Sequence, residues 1–241
     1  MDNVRTSFER HEKKFLLDER QFHGFLEKAG PFLTENEFPT SRIHNIYFDT
    51  PDYEFMRRSM EKPVYKEKMR VRSYMPPDED TPVFVERKKK YKGIVYKRRV
   101  SLPLKDARPW LLEKAPCPLD TQTGREIDAF LARSPRLRPV LFLYYDRQSY
   151  ELAGSGLIRV TFDTNLRYRT NCLSLTGGQD GTPLLPENHY LMELKIPGAL
   201  PLPLCRLLDE LKIYPVSFSK AGLACQLEME KERRLHDGTA I

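Results

Sequence analysis

Four cations occupy alternate positions of one segment, 64–74, and they are Lys66, Lys68, Arg70 and Arg72. Because side chains alternate between the two faces of a β-strand, this spacing predicts that all four point the same way. Like charges in one row repel each other and are costly to desolvate, so such a face cannot fill an ordinary core. The row therefore predicts either a solvated outer surface or a face that binds an anion.

The same alternation recurs in other segments that are rich in β-branched and aromatic residues, and these segments predict further strands. The predicted strands cover residues 8–17, 42–50, 64–74, 83–88, 94–102, 140–152, 157–168 and 190–196. The charged residues that share faces on them are Arg10, Glu12, Lys14, Glu86, Lys88, Lys97, Arg99, Arg159, Glu193 and Lys195. Three isolated glutamates thus lie among many cations, which favours a binding face over a merely solvated one.

Segments with one apolar stripe at helical spacing lie between and after the strands. They predict a helix from an Asp18 cap to Ala29, a short helix at 51–60, helices at 105–114, 124–133 and 203–212, and a last helix at 220–234 with Ser219 as its cap. Two apolar sheet faces packed together would leave these stripes with nothing to cover. The pattern instead predicts an α+β fold in which about eight antiparallel strands close into a barrel, with a polar tunnel inside and the helices outside. Because no linker is visible, residues 1–241 are predicted to form a single domain.

Composition limits the class of partner. The net charge of +6 and the isoelectric point near 9.0 favour a polyanion, which could be nucleic acid, an anionic membrane or a phosphate compound. Four scattered cysteines lack the spacing of a zinc site and the density of a disulfide scaffold, so a reducing cytoplasm is expected. No apolar stretch is long enough to span a bilayer, and we expect a soluble protein that a partner could tether.

Eight short segments, in order along the chain, carry a resemblance to a known family. They are Arg10–Phe15, Ile46–Thr50, Lys68–Arg72, Glu86–Lys88, Tyr96–Arg99, Arg159–Asp163, Met192–Lys195 and Ser217–Lys220. Through them the chain resembles the catalytic domain of the vacuolar transporter chaperone (VTC) complex, the polyphosphate polymerase branch of the triphosphate tunnel metalloenzymes. Each segment alone is a weak signal, but the ordered set is specific and covers nearly the whole chain.

The resemblance implies a walled tunnel in which basic residues bind a phosphate chain and a glutamate-bound Mn²⁺ or Mg²⁺ neutralises the reacting triphosphate. By this resemblance the phosphate-binding catalytic residues are Lys14, Arg70, Arg72, Lys88, Lys97, Arg159 and Lys220. The implied metal ligand is Glu193, while Glu12 and Glu86 face the same side and are second candidates for the metal or for orienting a lysine. Further substrate-binding residues are expected at Arg10, Lys68, Arg99 and Lys195.

Three function classes follow. The first is a cytoplasmic transferase that adds the γ-phosphate of ATP to inorganic polyphosphate; the second is a triphosphatase or polyphosphatase, and the third a non-catalytic polyphosphate sensor. Nucleic acid is not the expected ligand, and a membrane protein on a separate chain is a candidate partner. Arg10 stands where hydrolases of the superfamily carry the first of two alternating glutamates, which favours holding a long anionic product. Plainer interpretations of these residues remain open. Glu193 could form a structural ion pair, Lys88 and Lys97 could serve only to make the strands soluble, and Lys220 could be only the first residue of a capped helix.

Overall fold

The protein is described from a computed structural model, which covers residues 10–61, 63–92, 94–153 and 158–236, without the side chain of Arg10. These residues contain nine strands and six helices. The strands are β1 Arg10–Leu17, β2 Leu33–Asp49, β3 Tyr65–Ser73, β4 Pro82–Tyr91, β5 Ile94–Pro103, β6 Arg138–Leu152, β7 Arg159–Arg169, β8 Thr182–Pro183 and β9 Tyr190–Pro197. The helices are α1 Glu19–Ala29, α2 Glu54–Met60, α3 Leu104–Leu112, α4 Gln122–Arg133, α5 Leu202–Glu210 and α6 Lys220–His236.

All nine strands belong to one antiparallel sheet in the order β1-β9-β7-β6-β2-β3-β4-β5, and β8 pairs with β7. The α+β class is therefore confirmed. The predicted closed barrel is not found, because no hydrogen-bonded pairing joins β1 to β5 within the described residues. One reason lies at the outer edge of β1, where the Val216 amide donates to the Lys14 carbonyl at 2.7 Å and Phe15 forms a bridge with Pro215. This coil occupies backbone groups that a closing strand would need.

The chain separates into two compact units that share the long strands β2, β6 and β7. The first unit is drawn from residues 1–41, 146–165 and 185–218, and the second from 42–145, 166–184 and 219–241. The prediction of a single domain stays a prediction, and each unit is described by itself below.

In the first unit, helices α1 and α5 cover the apolar face of β1, β7 and β9. Phe15, Phe162 and Met192 project from these strands and are buried against Phe22 of α1 and Leu204 of α5. The predicted Asp18 cap is confirmed: its carboxylate accepts from the Gln21 amide at 2.7 Å, and the Gln21 side chain accepts from the Asp18 amide. With the apolar side chains covered, the charged residues of β1 and β9 project from the opposite face.

The second unit repeats this arrangement on β2, β3, β4 and β5. Met69, Val71 and Val85 are buried under Trp110 of α3 and Phe130 of α4. The opposite face of the same strands carries the predicted row of cations. Helices α1 and α5 in the first unit and α3 and α4 in the second therefore cover the apolar sheet face, as their apolar stripes predicted.

Several boundaries differ from the sequence-based predictions. Strand β2 begins nine residues before the predicted position 42, at Leu33. Helix α2 begins at Glu54 and not at Pro51, because the buried Asp49 carboxylate accepts from the amides of Phe55 and Met56. The short strand β8, between β7 and β9, was not among the predicted strands. Residues 8 and 157, where two of the predicted strands begin, lie outside the described residues.

Candidate functional site

Cross-strand register assembles the cations of the second unit into rows. Lys68 of β3 lies opposite Lys88 of β4, which lies opposite Lys97 of β5. The next row on this face contains Tyr47, Arg70, Glu86 and Arg99, taken in order from β2 to β5. Like charges placed directly opposite each other destabilise a sheet. The row of three lysines therefore does not stabilise the fold.

Glu86 is the acidic centre of this face and is only 2% exposed. Its Oε2 accepts from Arg70 Nε at 2.7 Å, while its Oε1 lies 2.6 Å from Lys97 Nζ and 3.5 Å from Arg99 Nε. Burial opposes ionisation, but the positive charge of Arg70 and the hydrogen bond from Lys97 lower the pKa of Glu86 to about 2. Glu86 is therefore an ionised anchor that holds three cations in position.

Arg72 is a buried cation whose hydrogen bonds go to neutral groups. Its Nε donates to Asn45 Oδ1 at 2.8 Å and its Nη2 donates to the Tyr145 hydroxyl at 2.8 Å. The Asn45 amide is in turn fixed by a bond to the Leu143 carbonyl at 3.0 Å. No described carboxylate forms a salt bridge with Arg72, which is 7% exposed. The charge of Arg72 helps to lower the pKa of Glu86, but that carboxylate also contacts Arg70, Lys97 and Arg99, so it offsets Arg72 only in part. A buried guanidinium that is only partly offset is costly, and an anion bound here would relieve that cost.

Tyr47 lies beside Arg70 on the same row. Arg70 Nη1 donates to the Tyr47 hydroxyl at 3.1 Å. Burial raises the pKa of Tyr47, but the positive charges of Arg70, Arg72 and Lys68 outweigh it and lower the pKa to about 8. The phenol therefore reports a strongly positive local potential.

The start of α6 contributes two further groups to the second unit. Ser219 Oγ accepts from the Gly222 amide at 3.2 Å, so Ser219 caps this helix as predicted, and it also accepts from Lys68 Nζ at 3.2 Å. The next residue, Lys220, is buried and places its ammonium 4.6 Å from the Tyr145 ring centroid. A buried cation at the positive end of a helix dipole is unfavourable unless an anion is close.

Lys88 differs from these neighbours because it is exposed and makes no hydrogen bond or salt bridge with any described residue. It lies between Lys68 and Lys97 in the lysine row. Its ammonium is therefore available to an anionic ligand.

In the first unit, one lysine lies between two carboxylates. Lys14 Nζ is 3.3 Å from Glu12 Oε1 and 3.7 Å from Glu193 Oε1, and it donates to the Phe218 carbonyl at 3.0 Å. Glu12 is exposed, whereas Glu193 is 6% exposed. Lys14 and Glu193 are also register partners on β1 and β9.

Sequence reasoning missed the cation on the other side of Glu193. Arg147 of β6 donates to both carboxylate oxygens of Asp163, at 2.6 and 2.7 Å, and to Glu193 Oε2 at 3.3 Å. Asp163 is fully buried, so this bidentate pair fixes the guanidinium beside Glu193. The alternation of Tyr145 with Arg147 on β6, and of Asn45 with Tyr47 on β2, was the signal that could have found these residues.

The row next to that of Lys14 and Glu193 contains Glu12 of β1, Lys195 of β9 and Arg159 of β7 as register partners. Arg159 is exposed and its Nη2 lies 3.4 Å from Glu151 Oε1. Lys195 is half-buried, and burial together with the charge of Arg147 lowers its pKa despite the nearby glutamates. These two cations are less tightly held than Arg147.

The candidate metal ligands differ in their fit to a divalent ion. Glu86 is already neutralised by three cations, which favours the role of orienting Lys97. Glu12 and Glu193 both contact Lys14, and the buried Thr161 hydroxyl across from Glu193 has no hydrogen-bond partner among the described residues. No group of three histidine, cysteine or acidic residues with metal-binding geometry occurs in the described part of the chain. Two carboxylates suit Mg²⁺ or Mn²⁺ when phosphate oxygens complete the shell, so the first unit fits a substrate-dependent metal.

The structure thus groups the predicted site residues into two sets. The second unit brings together Lys68, Arg70, Arg72, Glu86, Lys88, Lys97, Arg99 and Lys220. The first unit brings together Glu12, Lys14, Arg159, Glu193 and Lys195. Arg10 begins β1 opposite Pro197, and its side chain lies outside the described residues. Within the residues described, no helix is both long and apolar enough to cross a membrane.

Comparison with solved structures defines the fold. A protein from Bacillus halodurans, provisionally assigned as an adenylate cyclase, superposes with a TM-score of 0.53 at 14% identity, over 86% of this chain and 92% of its own. A Vibrio parahaemolyticus protein with the same provisional assignment gives a TM-score of 0.50 at 11% identity, over 91% and 99%. These likenesses show that the chain shares its fold with the two proteins. No curated protein sequence matches the chain.

The family itself is defined by sequence. The profile described as the VTC domain matches residues 9–227, which is most of the chain. The protein belongs to the VTC domain family, in the triphosphate tunnel superfamily of triphosphate-handling enzymes. The family resemblance drawn from the eight short segments is confirmed.

Proposed function

We propose that the protein is a metal-dependent polyphosphate polymerase that transfers the γ-phosphate of ATP to the end of an inorganic polyphosphate chain. Membership of the VTC domain family supports triphosphate or polyphosphate chemistry. The observation that carries the proposal is Arg72, a buried guanidinium whose described hydrogen-bond partners are neutral and whose charge is offset only in part by the shared carboxylate of Glu86. Such a cation is most stable when it binds a strong anion.

The length of the cation row favours a polymeric ligand over a single triphosphate. Lys66, Lys68, Arg70 and Arg72 occupy four successive same-face positions of β3. At two residues per step the row spans about 20 Å, which is longer than one triphosphate group. A chain of phosphates would therefore contact several of these residues at once.

The proposed reaction needs no protein nucleophile. A terminal oxygen of the acceptor chain attacks the γ-phosphorus of ATP, the bond between that phosphorus and its bridging oxygen breaks, and ADP leaves as the chain gains one phosphate. Arg70, Arg72, Lys88 and Lys97 would bind the phosphate oxygens and neutralise the charge of the transferring group. Arg70 is held by Glu86, so its guanidinium is oriented before substrate binds.

In the first unit, a separate set of phosphate contacts and metal ligands is proposed. Lys14 and Arg159 would bind phosphate, with Arg10 and Lys195 as further substrate contacts. Lys220, Lys68 and Arg99 would do the same in the second unit. Glu12 and Glu193 would hold Mn²⁺ or Mg²⁺, which would neutralise charge on the triphosphate. A membrane-protein partner on a separate chain stays a prediction.

The test incubates the purified chain with ATP and Mn²⁺ and resolves the products on a gel. Long polymer together with ADP is the expected result. If free phosphate is the only product, the protein is a hydrolase and not a polymerase. If it binds polyphosphate tightly but forms neither product, it is a sensor. Lys88→Ala is expected to lose at least about tenfold in rate, because one charge-assisted phosphate contact contributes about 1.5–3 kcal/mol. Lys89→Ala, at the next position on the opposite strand face, is the matched control.

A further inference from the structure

The far end of the β3-β4-β5 sheet exposes a row of large apolar side chains. Tyr65, Tyr91 and Ile94 are register partners on the three strands, and they are 40%, 46% and 58% exposed. Tyr96, two positions along β5 on the same face, is 44% exposed. We call these four residues the hairpin-end surface. None of them is among the residues to which phosphate binding is assigned above.

The helices cover this strand face only as far as the layer of side chains that contains Arg87. The guanidinium carbon of Arg87 lies 4.3 Å from the ring centroid of Phe130 in α4. Arg87 also pairs with the buried Glu67. Beyond that layer Tyr65 and Tyr91 contact each other edge to face, with ring centroids 6.4 Å apart. The apolar row therefore continues past the end of its helix cover.

Lysines surround the hairpin-end surface. Lys92 lies 5.5 Å from the Tyr91 ring centroid and Lys89 lies 6.0 Å from that of Tyr96. Lys90, on the opposite face of β4, is exposed and forms no salt bridge with a described carboxylate. Glu67, the carboxylate on this stretch of β3, is buried in its pair with Arg87. Glu126 of α4 is close enough for the charge of Lys89 to help lower its pKa, whereas no described carboxylate forms a salt bridge with Lys90 or Lys92. Apolar contact area and an excess of positive charge thus occur together.

We propose that the hairpin-end surface binds an anionic lipid bilayer. Tyrosines and an aliphatic residue surrounded by lysines match the polar boundary of a membrane, where rings sit at headgroup level and lysines meet anionic lipid. A nucleic acid would use the lysines but would have no use for Ile94 and Val95, which are both about half exposed. A second copy of the chain would bring the same lysines together, so charge repulsion opposes a dimer through this surface.

The experiment measures sedimentation of the full chain with vesicles of phosphatidylcholine, with or without phosphatidylglycerol. Binding is expected only to the anionic vesicles and is expected to weaken as salt is raised. Ile94→Glu should lower the apparent affinity at least about tenfold, since it removes apolar burial and adds a negative charge. Leu202→Glu is the matched control, because Leu202 is an aliphatic residue with 61% exposure at the start of α5.

A second pair of variants separates insertion from simple charge attraction. Lys90→Glu with Lys92→Glu should also weaken binding, whereas the exposed pair Lys114→Glu with Lys212→Glu should have much less effect. If only the lysine variants matter and Ile94→Glu binds like wild type, the surface is a general polyanion site and the proposal is overturned. The same holds if wild-type protein ignores anionic vesicles, or if ultracentrifugation shows a dimer that Ile94→Glu dissociates.

A direct readout comes from Ile94→Trp. The native Trp110 is buried, so the added indole supplies the solvent-exposed part of the emission. Anionic vesicles should shift that emission to the blue, and unchanged emission in the presence of bound vesicles would overturn the insertion. Because none of these measurements uses ATP, failure here leaves the proposed polymerase untouched.

Discussion

Arg70 and Glu86 are register partners on β3 and β4, and Arg70 Nε donates to Glu86 Oε2 at 2.7 Å. Glu86 also contacts Lys97 and Arg99, so one buried carboxylate neutralises a group of cations that would otherwise repel each other. Like-charge repulsion alone predicts that truncating Arg70 or Lys88 leaves the unbound protein at least as stable as wild type. Their contacts predict different effects, because Arg70 is paired with Glu86 whereas Lys88 has no described partner.

Arg70→Ala is expected to destabilise the protein, because it removes the two guanidinium nitrogens, Nε and Nη2, that lie 2.7 and 2.6 Å from Oε2 of the buried Glu86. The expected loss in free energy of unfolding is roughly 3 kcal/mol, or a fall in melting temperature of roughly 6–12 °C. Lys88→Ala, which removes a lysine without a described partner, should melt at or slightly above the wild-type temperature. Thermal melts of the two variants without ligand give the comparison, and equal melting temperatures would contradict it.

Arg72→Met should leave the stability of the ligand-free protein within about 1 kcal/mol of wild type. Relief of a buried charge offsets the two hydrogen bonds that Asn45 and Tyr145 lose. Tripolyphosphate at 100 times its Kd should stabilise wild type by about 2.7 kcal/mol, and the variant should lose most of this gain. Differential scanning fluorimetry measures both effects, with the exposed Arg58→Met as control. A full ligand-induced shift in Arg72→Met would contradict anion binding at this residue.

Glu86→Gln should change how stability depends on pH. The pKa of Glu86 is lowered from its ordinary 4.5 to about 2, so its contribution is present above pH 4.5 and is lost as pH falls to about 2. The variant should therefore be roughly 3 kcal/mol less stable at neutral pH, and the difference should shrink as the pH approaches 2. Urea unfolding at several pH values tests this. A difference independent of pH would mean that Glu86 acts through packing and not through its charge.

Tyr47 should ionise near pH 8, which is about two units below its ordinary value. A lowered phenol pKa means that its contribution to stability grows as pH rises from about 8 to 10. Phenolate absorbance should show this early transition in wild type and lack it in Tyr47→Phe. Bound tripolyphosphate should raise the pKa, because its negative charge offsets that of Arg70 and Arg72. If bound tripolyphosphate leaves the Tyr47 transition near pH 8, the phosphate binds away from Tyr47.

Glu193→Gln should weaken Mn²⁺ binding in the presence of tripolyphosphate, since it removes the buried carboxylate that Glu12 and Lys14 accompany. Isothermal titration of Mn²⁺ into the tripolyphosphate complex measures the affinity, with an expected loss of about 10–100-fold. Glu187→Gln is the control, because Glu187 is exposed and forms no salt bridge with a described residue. Unchanged metal affinity would favour the plainer interpretation of Glu193 as a structural ion pair.

The alternating charges of β3, β4 and β5 were enough to predict a cationic sheet face, because strand geometry fixes which side chains share a side. The apolar stripes of the helices likewise predicted which sheet face they cover, and Asp18 and Ser219 were identifiable as caps from their positions alone. These features depend on local periodicity. The ordered set of short segments added the family, which the VTC domain match confirms.

Strand closure could not be read from the same pattern, because the coil that occupies the edge of β1 comes from residues 215–216, some 200 positions further along the chain. Nor could sequence tell which cations are neutralised. Arg70 and Arg72 look equivalent on β3, yet Arg70 is paired with Glu86 and Arg72 is held by Asn45 and Tyr145. That difference depends on which residues of β2, β4 and β6 meet each guanidinium. Sequence alone determined the side of the strand on which the charges lie, and tertiary contacts decided which charges have partners and which remain available to a ligand.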